Sequence, residues 1–193
     1  MHETLIQYIN ARTSSSLTES EIDVIKTIFK PRRIRKRQYF LQEGDVCKEM
    51  GFIVKGAMRQ YSINDKGAEH IVRLYLENWW AGDRESFAML TPSIYNIDAW
   101  EDTDILTITQ AGITEFNSIP ALNELSRHLD EKHSIAFMKR INASISLPAE
   151  QRYAELAKTY PEFIQRFPQH IIASYLGITK ETLSRVRSQA LKK

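Results

Sequence analysis

Apolar side chains recur at helical spacing in two stretches before residue 30, which predicts two amphipathic helices. Thr18 stands three residues before Glu21, the arrangement of a capping box at the start of a helix. The recurring positions are Leu5, Ile6, Ile9, Ile22, Ile25, Ile28 and Phe29. We expect these helices to pack as a strap on the domain that follows.

Between residues 32 and 110 the pattern changes to short apolar, aromatic and β-branched runs separated by glycine turns. Asn64-Asp65-Lys66-Gly67 lies between two such runs and predicts a β-hairpin with glycine in the left-handed position. The number of runs predicts a jelly roll over about residues 30–110.

Six of the eight residues from Lys30 to Arg37 are Lys or Arg. This run suits either a nucleic-acid patch or the solvated face of a first strand. We favour the strand, because Ile34 and the following Tyr39 and Leu41 continue into a sheet pattern.

A second helical pattern follows Pro120 and continues to about residue 146, with apolar residues near heptad spacing. Such a helix suits a two-fold dimer seam; the alternative is a helix packed only on its own barrel. Ser146-Leu147-Pro148 then predicts a hinge. The expected seam residues are Leu122, Leu125, Leu129 and Ala136, followed by Ile141 and Ile145. We therefore divide the chain into an effector and dimerisation domain, 1–147, and a C-terminal domain, 148–193.

The segment from Phe167 to Arg187 has the pattern of a helix-turn-helix. Ile172 and Leu176 lie at helical spacing, Gly177 suits a tight turn, and Thr179 suits the N-cap of a second helix. We therefore expect a DNA-reading unit at this end of the chain.

The second helix of this unit divides into two faces. Leu183, Val186 and Ala190 form a buried stripe at steps of three and four. An arginine fork can bond guanine O6 and N7 together, and a glutamate can accept from the cytosine amino group. The expected DNA-binding residues are Thr179, Lys180, Glu181, Thr182, Ser184, Arg185, Arg187 and Ser188. A plain helical hairpin with a solvated charged face is the alternative.

The segment resembles the recognition motif of the catabolite activator and fumarate-nitrate regulator (CRP/FNR) family of bacterial transcription factors. The matching residues are Ile172, Ala173, Leu176, Gly177, Thr179, Glu181, Thr182, Leu183 and Arg185. The resemblance implies that Lys180, Glu181 and Arg185 contact base edges and that Thr182 holds a phosphate. It also implies a homodimer that places two recognition helices in successive major grooves, about 34 Å apart, with RNA polymerase as a further partner.

The N-terminal region resembles the cyclic-nucleotide-binding fold of the same family. Glu43-Gly44-Asp45, Phe52–Gly56 and Ala81-Gly82-Asp83 stand where that fold has its turn glycines. The resemblance implies an α+β chain: an N-terminal β jelly roll, a long dimerisation helix and a C-terminal helix-turn-helix. The implied effector pocket contains Gly82, Asp83, Arg84, Glu85, Ser86 and Tyr95.

This pocket departs from the nucleotide-binding pattern of the family. Asp83 replaces the usual glutamate after Gly82, and no Lys or Arg occurs between Glu85 and Trp100. Burying a phosphate without a cation is unfavourable by several kcal/mol, so we expect no cyclic AMP and no other cofactor, and the effector is unknown. Aromatic residues in this region line an apolar effector pocket or fill and cap the barrel, and a third alternative is a collapsed pocket with no effector. They are Trp79, Trp80, Phe87, Tyr95 and Trp100.

Charge and cysteine content agree with a regulator. The net charge is +2, and the segment from Leu147 onward has eight Lys or Arg against four Glu. A basic end on an acidic-leaning body suits DNA binding through that end. The single cysteine, Cys47, excludes an internal disulfide and is too few for a cysteine-ligated iron–sulfur cluster.

Other function classes find no support in the sequence. The histidines show no metal-binding spacing, and no nucleophile-elbow or phosphate-loop motif occurs, so we expect no enzymatic activity. No run of about 18 apolar residues and no leader pattern occurs, which predicts a cytosolic protein without membrane contact.

Relatives of the family continue past the recognition helix into a β-wing, whereas this sequence ends at Lys193. We expect fewer phosphate contacts and a lower salt slope of DNA binding, partly offset by Lys192 and Lys193. The leading hypothesis is a homodimeric DNA-binding transcription regulator with an unidentified effector. The alternative is a small-ligand or protein-interaction module that does not read DNA.

Overall fold

The computed structural model of the protein describes residues 1–190. Helices α1 (His2–Asn10) and α2 (Glu19–Ile28) confirm the two helices expected before residue 30. The capping box is also confirmed: Thr18 accepts from the Glu21 backbone N–H, and Glu21 accepts from that of Thr18 at 2.8 Å.

Within residues 1–190, eight strands form two four-stranded antiparallel sheets. One sheet has the order β1-β8-β3-β6 and the other β2-β7-β4-β5, which confirms the predicted jelly roll. A short helix, α3 (Arg84–Met89), connects β6 to β7. The strands are β1 (Lys30–Ile34), β2 (Tyr39–Leu41), β3 (Glu49–Lys55), β4 (Met58–Ile63), β5 (Glu69–Tyr75), β6 (Trp80–Ala81), β7 (Asn96–Ala99) and β8 (Thr103–Thr109).

The predicted hairpin joins β4 to β5. Gly67 has a φ of 77°, and the Asn64 side chain accepts hydrogen bonds from the backbone of Lys66 and Ala68. The basic run begins in β1, whose side chains are exposed except for Ile34. It therefore forms the solvated face of an edge strand, as favoured from the sequence.

The barrel has an apolar core on each side of its first sheet. Ile53, Met58 and Ile105 are fully buried between the sheets. On the outer face, α1 and α2 pack with α4 (Ile113–Ser118), which a 3₁₀ turn connects to β8, and with the beginning of α5 (Pro120–Ser146). The long helix expected over residues 120–146 is therefore present, and its first half belongs to the barrel.

Four helices complete the described chain: α6 (Ala149–Thr159), α7 (Pro161–Arg166), α8 (Gln169–Leu176) and α9 (Lys180–Ala190). They share one apolar cluster with the outer face of β4 and β5, in which Phe163 contacts the barrel side at Trp79. Leu147 and Pro148 separate α5 from α6, but this shared core joins the two parts. The division at residue 147 stays a prediction.

Among the described residues, no helix combines the length and the apolar character needed to cross a membrane. In the same range, no three His, Cys, Asp or Glu side chains gather as a metal site would require. Cys47 is a buried free thiol, and burial raises its pKa.

Candidate nucleic-acid interface

The turn between α8 and α9 has the geometry that its sequence predicts. Gly177 adopts the left-handed conformation, with φ 66° and ψ 36°. The Ile178 N–H bonds the Ala173 carbonyl at 3.0 Å, and Arg152 of α6 donates to the Leu176 carbonyl at 2.7 Å. These bonds satisfy carbonyls that the end of a helix leaves without partners, and they fix the angle at which α9 begins.

Replacing Gly177 with alanine will lower stability by about 1 kcal/mol, because a Cβ disfavours the left-handed conformation. The melting temperature should fall by about 3 °C in a calorimetric scan. Gly177→Asn is the matched control, since asparagine tolerates this conformation and should lose less. Equal losses for the two variants would contradict the assigned geometry.

Helix α9 separates into the two expected faces. Leu183 and Val186 are buried, and Thr179 caps the helix by accepting from the Thr182 N–H at 3.2 Å. The exposed side carries Lys180, Glu181, Ser184, Arg185 and Ser188. Of the other expected contacts, Thr182 and Arg187 are half-buried and Thr179 is exposed. The Ala190 side chain, Lys192 and Lys193 lie outside the described residues.

The exposed side of α9 carries both signs of charge. Hydrogen bonds from its own backbone N–H and from Thr179 lower the pKa of Glu181, so this carboxylate is ionised at neutral pH and can only accept. Lys180 and Arg185 form no ion pair with a carboxylate of residues 1–190. This face therefore offers free cationic donors and one anionic acceptor, the groups that phosphates and base edges bind.

Helix α8, the first helix of the motif, faces the barrel. The Ser174 hydroxyl accepts from the Ile71 N–H of β5 at 2.9 Å and donates to the Glu69 carbonyl at 3.2 Å. Arg140 of α5 donates to the carbonyls of Val72 and Tyr175, so it connects the long helix, the barrel and the end of α8. Because these hydrogen bonds hold α8 against the barrel and α5, α9 remains on the outer surface.

A polar clasp joins α7 to the barrel. Arg166 donates to both oxygens of Glu77 at 2.6 and 3.0 Å and to both oxygens of Glu101 at 3.1 and 2.6 Å. The Trp100 indole donates to the Arg166 carbonyl at 3.1 Å. Although burial raises it, hydrogen bonds from Arg166 and Gly56 leave the pKa of Glu77 below its ordinary value. Both carboxylates are therefore committed to this clasp.

The aromatic residues singled out in the sequence have three different positions. Trp79 packs on Tyr160 and Phe163, with ring centroids 5.5 and 5.7 Å apart, so it belongs to the core shared with the C-terminal helices. Trp100 packs on Phe167 in the same core, with His170 exposed at its edge. Trp80 and Phe87, by contrast, line a cavity beside α5, and Tyr95 is half-buried outside it.

Part of the expected dimer seam lies inside the chain's own core. Leu122 and Leu125 are fully buried against the barrel, and Leu129 packs beside them. They are not available to a second subunit, so the prediction that these leucines form the dimer seam is wrong. Ala136 is exposed but lies on the same side of α5 as these leucines.

The opposite side of α5 presents large apolar side chains to solvent. Met138 is 62% exposed and Ile145 81% exposed, and Ile141 lies between them at steps of three and four. A monomeric protein seldom exposes a contiguous apolar stripe of this kind. This seam stripe consists of Ile135, Met138, Ile141 and Ile145, whereas the exposed Phe137 lines a cavity toward the barrel.

The loop expected to hold an effector is closed by its own hydrogen bonds. Asp83 caps α3 through the Ser86 N–H, and its other oxygen accepts from Ser93 at 2.7 Å. The Ser86 hydroxyl bonds the Thr91 carbonyl at 2.5 Å. Arg84 turns to Asp130 of α5 at 2.6 Å. The residues expected to form this pocket therefore offer a cyclic phosphate the Asp83 carboxylate and no unpaired cation, so they do not fit the nucleotide.

The remaining residues named for this pocket lie apart from one another. Gly82 and Arg84 line the cavity beside α5, whereas Glu85 is exposed. Two further arginines are not predicted from the sequence: Arg73 lines the same cavity, and Arg166 is the centre of the clasp. Arg166 has no local signal, because the carboxylates that it binds lie 65 and 89 residues away.

Comparisons with known proteins agree with this architecture. Residues 31–117 match the family described as "Cyclic nucleotide-binding domain". The fumarate and nitrate reduction regulatory protein of Vibrio cholerae is 26% identical over 188 residues, which cover 89% of this chain and 73% of that protein. The anaerobic regulatory protein of Haemophilus influenzae is 25% identical, covering 89% and 71%.

Solved structures share the fold at lower identity. FixK2 from Bradyrhizobium japonicum aligns with a TM-score of 0.70 and 18% identity, covering 86% of this chain and 85% of that one. A CooA mutant from Carboxydothermus hydrogenoformans aligns with a TM-score of 0.71 and 17% identity, covering 93% and 81%. The chain is therefore similar to transcriptional regulators of the CRP/FNR type in its matched domain and its curated relatives, and it shares the fold of the solved structures.

Proposed function

We propose that this regulator reads duplex DNA through α9 as a homodimer joined along the seam stripe, without control by cyclic AMP. The observation that carries the proposal is the division of α9, in which Leu183 and Val186 are buried while Glu181 and Arg185 are exposed. Four features hold this helix in place: its cap, the left-handed turn before it, helix α8 and the clasp. A rigidly held helix with free base-reading groups is what direct readout requires.

Dimerisation follows from the position of the seam stripe. Two copies of one helix face form a self-complementary two-fold contact, in which Met138, Ile141 and Ile145 meet their equivalents. Apolar side chains at these steps are typical of a coiled-coil contact. The resulting symmetry predicts a palindromic operator with half-sites about one DNA turn apart.

Replacing Arg185 with alanine will weaken binding to the preferred operator about 10- to 100-fold, because one bidentate base contact contributes about 1–3 kcal/mol. Binding to unrelated DNA should fall much less, since the phosphate contacts remain. Lys26→Ala removes an exposed cation of α2 on the barrel and should leave both affinities unchanged. The measurement is fluorescence anisotropy with operator and scrambled duplexes.

Arg185→Lys provides the sharper comparison. Lysine keeps the charge but lacks the planar fork, so it should restore general affinity and not discrimination at the contacted base pair. If alanine and lysine variants discriminate as well as the wild type, Arg185 does not read bases. Equal losses on operator and scrambled DNA would assign it to a phosphate instead.

A further inference from the structure

The barrel carries an anionic socket at the end that faces the C-terminal helices. Glu77 follows β5, and Glu101 lies in the turn between β7 and β8. The Gly56 N–H donates to Glu77 at 2.8 Å, and the Ala57 carbonyl accepts from the Glu101 N–H at 3.2 Å. The turn after β3 therefore holds both carboxylate-bearing segments, so the barrel builds this socket from its own residues.

The two carboxylates of the socket share one cation. Nη2 of Arg166 donates to Glu77 at 3.0 Å and to Glu101 at 2.6 Å, so one nitrogen bridges them. Two carboxylates held side by side repel each other, and an arginine between them removes that repulsion. Among residues 1–190, no other cation lies within 4.0 Å of either carboxylate. The socket is therefore satisfied by α7, which favours the docked arrangement.

Docking also covers the free edge of a strand. β5 is the last strand of its sheet, so the outward N–H and C=O groups along it have no neighbouring strand to pair with. Ser174 of α8 accepts from the Ile71 N–H at 2.9 Å and donates to the Glu69 carbonyl at 3.2 Å. The Ile71 N–H keeps this partner only while α8 is docked, so its exchange with solvent reports on docking.

A short linker is the covalent connection between the C-terminal unit, α6 to α9, and the seam helix. Leu147 and Pro148 separate α5 from α6, and a linker of this kind permits rotation of the unit about it. The first half of α5 packs on the barrel, and α7 and α8 pack on the same barrel. Docking therefore fixes α9 relative to the seam stripe, although the linker alone would not.

We infer that Arg166 is a positioning residue, which locks the C-terminal unit on its own barrel without a ligand and so fixes the half-site spacing that the dimer accepts. The spacing part rests on the proposed function, whereas the docking part does not. Each base pair added between two half-sites turns one of them by about one tenth of a helical turn relative to the other. Two locked recognition helices match one spacing, while two helices on free linkers can follow several.

Amide hydrogen exchange of the full chain without DNA tests the docking. Arg166→Met keeps an unbranched side chain but removes the cation, so α8 should leave β5 more often. Peptides that contain Ile71 should exchange at least about tenfold faster than in the wild type, while peptides from β3 and β8 exchange at the wild-type rate. Glu101→Gln removes one of the two charged partners, so it should change the same peptides by a smaller factor.

Arg33→Met is the matched control for both measurements. Arg33 lies 3.3 Å from Asp102 and 4.0 Å from Asp104, so it also contacts two carboxylates, but all three residues belong to the barrel. Its loss should leave the exchange at Ile71 and the spacing preference as they are in the wild type.

Fluorescence anisotropy tests the spacing with the selected operator and with duplexes in which two base pairs are added or removed between its half-sites. The wild type should bind the altered duplexes at least about tenfold more weakly than the operator. Arg166→Met should bind the operator more weakly than the wild type does, but should lose only about threefold or less on the altered duplexes. A variant that was merely less stable would keep the wild-type spacing preference, and every variant is measured well below its melting temperature.

Unchanged exchange at Ile71 in Arg166→Met would overturn the lock, as would equally faster exchange throughout β3 and β8, which indicates general destabilisation. A wild-type spacing preference in Arg166→Met would overturn the positioning role. A wild type that binds no duplex would refute the proposed function and with it the spacing part. The exchange measurement contains no DNA, so it decides the docking part in that case too.

Discussion

Replacing Phe163 with alanine will destabilise the protein by about 3–5 kcal/mol, the cost of removing a fully buried aromatic ring. Phe163 is 0% exposed, and its ring packs on Trp79 of the barrel side and on Tyr160, Phe167 and Tyr175 of the C-terminal helices. The cavity left behind would open the core that joins the two parts. The melting temperature should fall by about 10 °C.

Phe163→Leu is the matched control, because it keeps most of the apolar volume and should lose only about 1 kcal/mol. The wild type should unfold in one cooperative calorimetric transition, because the barrel and the C-terminal helices share this cluster. A loss below about 2 °C for the alanine variant, or two separate transitions in the wild type, would contradict the shared core.

Replacing Met138 with glutamate will dissociate the proposed dimer. In a two-fold seam the new carboxylate faces its own copy, and like charges placed together cost several kcal/mol. The dimer dissociation constant should therefore rise at least about 100-fold. Sedimentation equilibrium of the variant should give the mass of one chain where the wild type gives that of two.

Met89→Glu is the matched control for this prediction. Met89 is 70% exposed on α3 and lies outside the seam stripe, so the same change in charge and size should leave the dimer intact. Operator affinity should fall with dimerisation, because a single subunit contacts one half-site. A monomeric wild type, or a Met138→Glu variant that stays dimeric, would show that the seam lies elsewhere.

The features predicted correctly from the sequence are those with local causes. The capping box of Thr18 and Glu21, the hairpin at Gly67 and the turn at Gly177 depend on residues within five positions of one another. The division of α9 into faces depends only on the helical repeat, so Leu183 and Val186 were assigned correctly.

The features that were missed depend on which faces meet in three dimensions. Helix α5 is apolar on two sides, and spacing alone does not tell the side of Leu122 from the side of Met138. Spacing therefore predicts that its leucines contact a partner, whereas in the structure they pack on the barrel. Likewise, Trp79 belongs to the shared core through contacts with Tyr160 and Phe163, which lie far from it in the sequence.

The central claim is tested most directly by selection from a pool of randomised duplex DNA with the purified wild-type protein, without and with cyclic AMP. The account predicts enrichment of a palindromic site, with half-sites about 10 base pairs apart, to the same extent in both conditions. Arg185→Ala should lose preference at one symmetric pair of positions. No enriched sequence, or enrichment that requires the nucleotide, would contradict a dimer that reads DNA through α9 independently of cyclic AMP.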